Sequence, residues 1–179
     1  MISNDNWQIM ALNLGCGRKR IDGAINVDRV ADVNPDMIHD LDILPWPFPE
    51  NRFNKVHAYD VIEHCSDLVA TMNEIHRICA NGASVHITTP HFSCANSFVD
   101  PTHLHHLSYF SFDYWTGTAE FDFYTDNRFQ KRTSQIVFYP TLVNKLVWRL
   151  ANRYPEAYER RWTWMFPAWF LSVELEVVK

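Results

Sequence analysis

Short runs of apolar residues, each ended by glycine, proline or an acidic residue, recur through the first half of the chain. Apolar runs of about four to eight residues between turn signals are typical of buried strands. They predict strands at residues 9–14, 24–28, 37–41 and 54–60. Residues 84–89 alternate between apolar and polar side chains and end at Pro90, which predicts a fifth strand.

One helix interrupts this series of strands. Ser66 and Asp67 are residue types that cap helices, and apolar side chains then recur at helical spacing. Gly82 is a stop signal, so the pattern predicts a helix over residues 68–80. Strands that alternate with a helix favour an α/β fold with a parallel sheet.

The second half of the chain predicts one more helix between two strands. Residues 129–139 predict a sixth strand, and residues 170–178 alternate cleanly as the last one. Between them, apolar side chains at helical spacing over residues 142–150 predict an amphipathic helix. We expect residues 1–179 to form a single domain, a length that is enough to bury a sizeable core.

Composition narrows the classes of partner. A net charge of −5 argues against a general nucleic-acid binder, which needs clustered positive charge.

The four cysteines lack the paired spacing of a zinc site and residues 1–5 show no signal-peptide pattern, so we expect reduced thiols and a cytoplasmic location. No apolar segment approaches the length of a membrane span. Aromatic residues make up 15% of the chain, so some are expected to line a pocket, an interface or a membrane-facing surface.

The first strand runs into a turn that contains two glycines, Gly15 and Gly17. Glycine allows positive φ and a close approach of the backbone to a ligand, so such a turn is a common floor for a nucleotide site. The second strand then ends in Asp28, where a carboxylate can accept hydrogen bonds from both hydroxyls of a ribose. An ordinary turn and a solvated acid at the end of a strand are the alternatives.

The order of these features resembles the class I S-adenosylmethionine-dependent methyltransferases, in their compact small-molecule form. The resemblance covers residues 9–92 and rests on Asp28 and on the segments LNLGCG (12–17), DLDILPWPF (40–48), NRF (51–53), DVIEH (60–64) and EIHRI (74–78) before NG (81–82). It implies a Rossmann-like α/β sheet, mostly parallel with an antiparallel final strand. It also implies that residues 9–92 bind S-adenosylmethionine, while residues 93–179 cover the site and bind the methyl acceptor.

The resemblance implies a set of cofactor contacts as well. Asp28 would bind the ribose hydroxyls, and Asp40 with the backbone of Leu41 would read the adenine amino group. Tyr59 and Asp60 would line the methionine moiety, close to the acceptor. The full expected set is Asn13, Gly15, Cys16, Gly17, Asp28, Asp40, Leu41, Tyr59, Asp60 and His64.

The segments after the first and second strands are shorter than the resemblance implies. Residues 18–23 and 29–35 leave little room for helices, so one face of the sheet should have a reduced helix complement. Bare sheet surface is costly to leave wet. We therefore expect residues 148–169 or a second subunit to cover this face. Support for the glycine turn is expected from the C-terminal half of the chain or from another subunit.

Methyl transfer to a hydroxyl benefits from a base, and histidine is the natural base near neutral pH. His91, His103 and His106 lie at or after the ends of predicted strands, where the acceptor should bind. We take these three as the candidate catalytic residues. Loop histidines that only form structural hydrogen bonds are the alternative.

A metal site is a second interpretation of this region. Residues 100–106 (DPTHLHH) carry several imidazoles and a carboxylate, which are ligands for zinc and related ions. Residues 60–64 are similar to the stretch that ubiquinone-pathway O-methyltransferases use around a divalent cation. Because glutamate–histidine pairs are also widespread in relatives without a metal, we assign no metal ligand.

The favoured function is methylation of a small-molecule or glycan hydroxyl, with an amine as a further acceptor type. A nicotinamide-dependent oxidoreductase shares the glycine turn, but the third glycine of its fingerprint falls at Arg20 and its crossover helix is missing. A non-catalytic scaffold that binds the cofactor or a partner is the third alternative. Arginines among tryptophans over residues 148–164 leave a peripheral membrane contact open, and a homodimer is open as well.

Overall fold

Seven strands pair into one sheet in a computed structural model, which describes residues 10–118, 123 and 125–179. The order across the sheet is β3-β2-β1-β4-β5-β7-β6. The strands are β1 (Met10–Leu14), β2 (Ala24–Asp28), β3 (Met37–Ile38), β4 (Phe53–Tyr59), β5 (Cys79–Pro90), β6 (Arg128–Val137) and β7 (Phe170–Val178).

Parallel pairing links β3, β2, β1, β4 and β5, whereas β7 is antiparallel to both β5 and β6. This arrangement confirms the predicted Rossmann-like sheet with an antiparallel final strand. Ile9, the predicted first residue of β1, lies outside the described residues. β3 is shorter than the predicted strand at residues 37–41 because the chain turns at Asp40, whose carbonyl accepts a hydrogen bond from Ile43 N at 3.0 Å.

Helix α1 (Leu68–Ile78) begins after Asp67, whose carboxylate accepts a hydrogen bond from Ala70 N at 2.9 Å. The helix ends two residues before the predicted end because the chain passes directly into β5 at Cys79. Gly82 has a φ of 78° and lies inside β5. It therefore belongs to an irregularity of the strand rather than to a helix stop, and the pairing register of β4 with β5 shifts there.

The core lies on both faces of the parallel strands. Leu12, Asn13 and Leu14 are consecutive in β1 and all buried, so both faces of this strand are covered. Strands of this kind appear in a sequence as nearly continuous apolar runs. Helix α1 adds Met72 and Ile75, both fully buried, to the same core.

Helices are scarce on the β2 and β3 side of the sheet. Residues 15–23 form turns, and residues 29–36 contain only the short 3-10 helix Ala31–Val33, which confirms the reduced helix complement. After the single-turn helix α2 (Asn96–Val99), helices α3 (Leu142–Arg153) and α4 (Pro155–Arg161) follow β6. The side chain of Asn152 bonds to both N and O of Ile136 at 2.8 Å, which holds α3 against β6 at the far edge of the sheet.

Helix α3 presents apolar side chains to water. Leu142, Val143 and Leu146 are 85%, 63% and 64% exposed. Within the described part of the chain, no helix has both the length and the apolar character needed to cross a bilayer.

A buried pair of asparagines ties β1 to β2. The Nδ2 group of Asn13 donates to Oδ1 of Asn26 at 2.9 Å and to the carbonyl of Lys19 at 3.0 Å. Oδ1 of Asn26 also accepts from the N–H of Ile21 at 2.8 Å, and its Nδ2 donates to Oδ2 of Asp36 at 2.9 Å. Both asparagines are 2% exposed, so water cannot replace these bonds.

The substitution Asn26→Ala is expected to lower the free energy of unfolding by about 2–4 kcal/mol, because it leaves the Asn13 amide and the Ile21 N–H without this partner. Urea unfolding monitored by circular dichroism measures this loss. The control Asn144→Ala removes a surface asparagine at the start of α3 and should cost less than about 1 kcal/mol. Equal losses in the two variants would contradict a structural role for the buried pair.

Candidate active site

β1 and β4 are neighbours at the centre of the parallel strands. The chain continues from β1 to β2 on one side of this pair and from β4 to β5 on the other side, so the direction of the strand order reverses between them. In open α/β sheets, the loops after two such strands separate and leave a crevice at the carboxyl ends. A cavity of about 220 Å³ lies there, and we call it the first cavity. It is lined by Gly15, Asp28, Arg29, His39, Asp40, Leu41, Asp42, Asp60, Val61, His64, Cys65 and Thr102.

The floor of the first cavity is the glycine turn after β1. Gly15 has a φ of 57°, and a Cβ at this position would lie 2.2 Å from Cγ2 of Val61. Conformation and space therefore both restrict position 15 to glycine. Gly17 also has a positive φ, 47°, and its N–H donates to Oδ2 of Asp28 at 2.8 Å.

The hydrogen bonds that hold this turn come from the strands beside it. Cys16 N donates to the carbonyl of Val27 at 2.9 Å, and Asn13 holds the carbonyl of Lys19. The expectation that the C-terminal half or another subunit supports this turn is therefore wrong for these hydrogen bonds, which come from the first half of the chain. Asn13, Cys16 and Gly17 are predicted cofactor contacts that are absent from the lining of the first cavity, and Asn13 and Cys16 are buried.

Asp28 lies at the end of β2 with its carboxylate at the cavity wall. Its Oδ2 accepts from Gly17 N at 2.8 Å, and its Oδ1 accepts from Val30 N at 2.9 Å. These two bonds fix the carboxylate in place. Each carboxylate oxygen can accept a second hydrogen bond, so both remain able to bind neighbouring hydroxyl groups.

The segment after β3 contributes His39, Asp40, Leu41 and Asp42 to the lining of the first cavity. Oδ1 of Asp40 accepts from Asp42 N at 3.1 Å. The carbonyl of Leu41 accepts from Nε1 of Trp46 at 3.0 Å, and Trp46 is itself held through its N–H by Glu74 at 2.8 Å. The buried indole therefore positions the backbone at Leu41 from behind.

The first cavity is acidic. Asp28, Asp40, Asp42 and Asp60 line it, whereas Arg29 is its one arginine or lysine. Such a wall attracts a ligand with positive groups and repels a pyrophosphate. This electrostatic pattern fits a sulfonium and an ammonium group, and it opposes a dinucleotide.

A second cavity of about 760 Å³ adjoins the first. Asp60 and His64 line both cavities, so these two side chains stand at the border between them. Asp60 has a φ of 52°, and its Oδ1 accepts from the hydroxyl of Thr88 at 3.0 Å. The second cavity is lined by Lys19, Tyr59, Asp60, Glu63, His64, Thr88, Pro90, Asn96, Val99, Asp100, His103, Trp169 and Phe170.

Glu63 is an unusual member of the second cavity. Its side chain is 1% exposed, and within the described residues neither carboxylate oxygen has a hydrogen-bond partner. Burial raises the pKa of this carboxyl to about 7. The nearest imidazole, that of His103, has its Nε2 atom 3.9 Å from Oε1 of Glu63. The residues that carry the family resemblance contain Glu63, but nothing in the sequence indicates that it is buried without a partner.

The three histidines predicted as catalytic residues lie in different environments. His103 lines the second cavity, with 8% of its side chain exposed. His91 is fully buried, with its ring 2.8 Å from Oγ of Ser93 and 3.1 Å from Oε1 of Glu159, and it lines neither cavity. His106 is exposed and also lines neither cavity. The geometry therefore favours His103 over the other two.

Most of the residues predicted to contact the cofactor line one of the two cavities. Gly15, Asp28, Asp40, Leu41, Asp60 and His64 line the first cavity, and Tyr59 lines the second. Burial raises the pKa of the Tyr59 phenol, whose oxygen is 2.8 Å from Nδ1 of His57. The structure adds neighbours that the sequence analysis did not single out, such as Arg29 directly after Asp28 and Val61 directly after Asp60.

Comparison with known proteins agrees with this geometry. Residues 12–87 match the family model described as a methyltransferase domain. No curated protein matches the chain.

Solved structures of the same fold extend over nearly the whole chain. A SAM-dependent methyltransferase from Archaeoglobus fulgidus is 15% identical with a TM-score of 0.56, over 94% of this chain and 86% of that chain. An S-adenosylmethionine-dependent methyltransferase from Mesorhizobium loti is 14% identical with a TM-score of 0.57, over 94% and 90%. A Haloferax volcanii protein solved in complex with the Trm112 methyltransferase activator is 13% identical with a TM-score of 0.60, over 96% and 83%.

The sheet order and the crevice between β1 and β4 define a class I methyltransferase fold. Residues 12–87 are thus matched as a methyltransferase domain, and the sheet around them has the fold of S-adenosylmethionine-dependent methyltransferases. The methyl donor of this family is S-adenosylmethionine. The nicotinamide-dependent alternative is thereby excluded.

The raised pKa of Glu63 makes a prediction about stability. A carboxyl whose folded pKa of about 7 exceeds its ordinary value of 4.5 stabilises the fold most below pH 4.5, and this contribution disappears as the pH rises through 7. The substitution Glu63→Gln does not titrate. In the presence of a chelator, its free energy of unfolding relative to wild type should therefore rise by about 3 kcal/mol between pH 4.5 and pH 8.

Urea unfolding at these two pH values measures the difference. Glu176→Gln is a control of opposite sign, because hydrogen bonds from Arg132 lower the pKa of Glu176. Glu176→Gln should have a lower free energy of unfolding than wild type at pH 8, and this difference in free energy should become smaller as the pH falls below 4.5. A Glu63→Gln variant that shows no pH-dependent gain would mean that this carboxyl is not held neutral by burial.

Proposed function

We propose that this enzyme transfers the methyl group of S-adenosylmethionine to a hydroxyl of a small molecule or a glycan. One observation carries the proposal: Asp60 and His64 form a common wall between an acidic cavity at the glycine turn and a larger cavity with polar and aromatic lining. A donor in the first cavity and an acceptor in the second would meet at this wall.

The residues of the first cavity fit the donor. Asp28 has one free acceptor position on each oxygen for the two ribose hydroxyls. Asp40 and Leu41 line the same cavity as Gly15, and there Asp40 and the backbone of Leu41 would bind the adenine amino group. The tight packing of Gly15 against Val61 leaves the cavity floor bare of side chains. When bound, S-adenosylmethionine supplies an electrophilic methyl group on its sulfonium.

The lining of the second cavity suits a hydroxylated acceptor. Lys19, Asn96 and Tyr59 provide hydrogen-bond donors for hydroxyl oxygens. Trp169 and Phe170 add aromatic surface, against which the apolar face of a sugar or a ring can pack. Polar groups that converge beside aromatic walls are typical of small-molecule sites.

The reaction requires alignment and the loss of one proton. As the acceptor oxygen attacks, the C–O bond forms, the C–S bond breaks, and its electron pair stays on sulfur, which gives S-adenosylhomocysteine. Holding the two partners in line supplies much of the acceleration. Groups that bind the acceptor oxygen or take up its proton must lie in the second cavity next to the common wall, and Glu63, His64 and His103 lie there together.

Isothermal titration with S-adenosylhomocysteine and NAD tests the donor site. We expect one S-adenosylhomocysteine per chain and no heat from NAD. The substitution Asp28→Ala should weaken S-adenosylhomocysteine binding by about 10- to 100-fold, because it removes charged hydrogen bonds to the ribose. The control Asp32→Ala changes an exposed acid in the 3-10 helix that follows β2 and should bind as wild type does. Unchanged affinity in Asp28→Ala would show that the ribose lies elsewhere.

Methyl transfer from S-adenosylmethionine with a deuterated methyl group identifies the acceptor class. The enzyme is incubated with sets of phenols, sugars, oligosaccharides and amines, and products are read by mass spectrometry. Label on a hydroxyl oxygen supports the proposal, whereas label only on nitrogen would replace a hydroxyl by an amine acceptor. If the donor binds but no deuterated methyl group appears on any acceptor compound or on the protein itself, the result favours the non-catalytic scaffold.

A further inference from the structure

Three side chains with metal-binding atoms converge in the second cavity. Glu63, His64 and His103 each offer one ligand atom, and these atoms lie within 4.8 Å of one another. Glu63 and His64 lie in the turn after β4, whereas His103 follows α2 some 40 residues later. The cluster is therefore assembled by the fold and not by a single local motif.

The carboxylate of Glu63 lacks the partners that a buried carboxylate needs. Its oxygens are buried, and neither has a described partner at full hydrogen-bond geometry. The Thr89 hydroxyl and the Glu63 backbone N–H lower the pKa of this carboxyl, but burial outweighs them. The 3.9 Å between Nε2 of His103 and Oε1 of Glu63 is too long for a hydrogen bond. Buried charges are normally paired or bound to a metal, so a cation in this gap would give the Glu63 carboxylate a partner.

The tautomer of His64 is fixed by its hydrogen bond to Thr102. The hydroxyl of Thr102 donates its single proton to Oδ1 of Asp100 at 2.7 Å, so its oxygen accepts from Nδ1 of His64 at 2.8 Å. The imidazole proton therefore sits on Nδ1, and Nε2 of His64 carries the lone pair.

The tautomer of His103 is fixed in the same sense. Nδ1 of His103 lies 3.3 Å from the carbonyl oxygen of Ser97, which can only accept a hydrogen bond. Nδ1 therefore carries the proton, and the lone pair on Nε2 faces Glu63. Histidines that bind metals almost always donate their other N–H to a carbonyl, a carboxylate or a comparable acceptor. Both imidazoles are thus prepared as ligands through hydrogen bonds outside the cluster.

The geometry points to a divalent metal site in which Glu63, His64 and His103 bind an ion of the Zn²⁺ type. Two imidazoles and one carboxylate are a donor set for Zn²⁺ and related first-row ions, and they leave coordination positions open. Metal–ligand distances of about 2.0–2.2 Å place tetrahedral ligand atoms about 3.3–3.6 Å apart. The gap between His103 and Glu63 would need to close by about half an ångström.

The open positions face the second cavity, where all three ligands are part of the lining. On the proposed function, this is where the acceptor hydroxyl binds. Coordination would orient its oxygen toward the common wall and make its proton easier to lose. The ion would thus serve acceptor binding, while donor binding in the first cavity stays independent of it.

Metal binding is tested directly on the full chain after removal of metals with a chelator and dialysis. Titration with Co²⁺ followed by visible absorption, and then competition with Zn²⁺, should show one Co²⁺ per chain that Zn²⁺ displaces. Glu63→Gln and His103→Gln should each weaken binding at least about 10-fold, since even the loss of an outer partner has an effect of that size. Thr102→Val should weaken it about 10- to 100-fold, because it releases the tautomer of His64.

The matched control is His106→Gln, which removes an exposed imidazole from the same segment and should bind Co²⁺ as wild type does. Glu63→Gln should still bind S-adenosylhomocysteine, which separates loss of the metal from loss of the fold. Absence of stoichiometric Co²⁺ binding, or binding that is unchanged in Glu63→Gln and His103→Gln, overturns the site. If S-adenosylhomocysteine fails to bind wild type while Co²⁺ binds as described, the proposed function fails and the metal site stands.

Discussion

The close packing of the backbone at Gly15 against the side chain of Val61 is the constraint on which the site depends. β1 and β4 are parallel neighbours from Ala11 and Lys55 onward, so the chain leaves both strands at the same edge of the sheet. A Cβ at position 15 would have to push the turn after β4 away. That turn carries Asp60 and His64, which separate the two cavities. Glycine at this position thus allows the close approach of the turn after β1 to the turn that separates the first and second cavities.

The sequence was sufficient for those elements whose pattern is local. Buried parallel strands produce apolar runs, and β2 and β7 agree with the predicted bounds. It was misleading for β5, because helical spacing continues to Cys79 and Gly82 resembles a helix stop. The decisive feature is the pairing of Cys79 with Phe53 in β4, followed by a register shift. Pairing between strands that are distant in sequence has no local signal.

In the candidate site, too, the features with a local sequence pattern were predictable and those that depend on tertiary packing were not. An acid at the end of each successive strand was enough to predict that Asp28, Asp40 and Asp60 would share one crevice, and all three line it. The environment of Glu63 depends on a loop some 40 residues away, so its missing hydrogen bonds were not visible in the sequence. His91 follows a strand end as expected, but Glu159 of α4 engages its ring. Only tertiary packing distinguishes such a histidine from one in a cavity.

The insertion of β7 between β5 and β6 has a consequence for biosynthesis. Among the described strands, β6 pairs with β7 alone, so it has no place in the sheet until the last strand in chain order has been made. Residues 10–90 already contain the lining of the first cavity apart from Thr102, whereas the wall of the second cavity waits for Trp169 and Phe170. During synthesis, all the residues that line the first cavity except Thr102 are therefore present in the chain well before Trp169 and Phe170 of the second cavity are added.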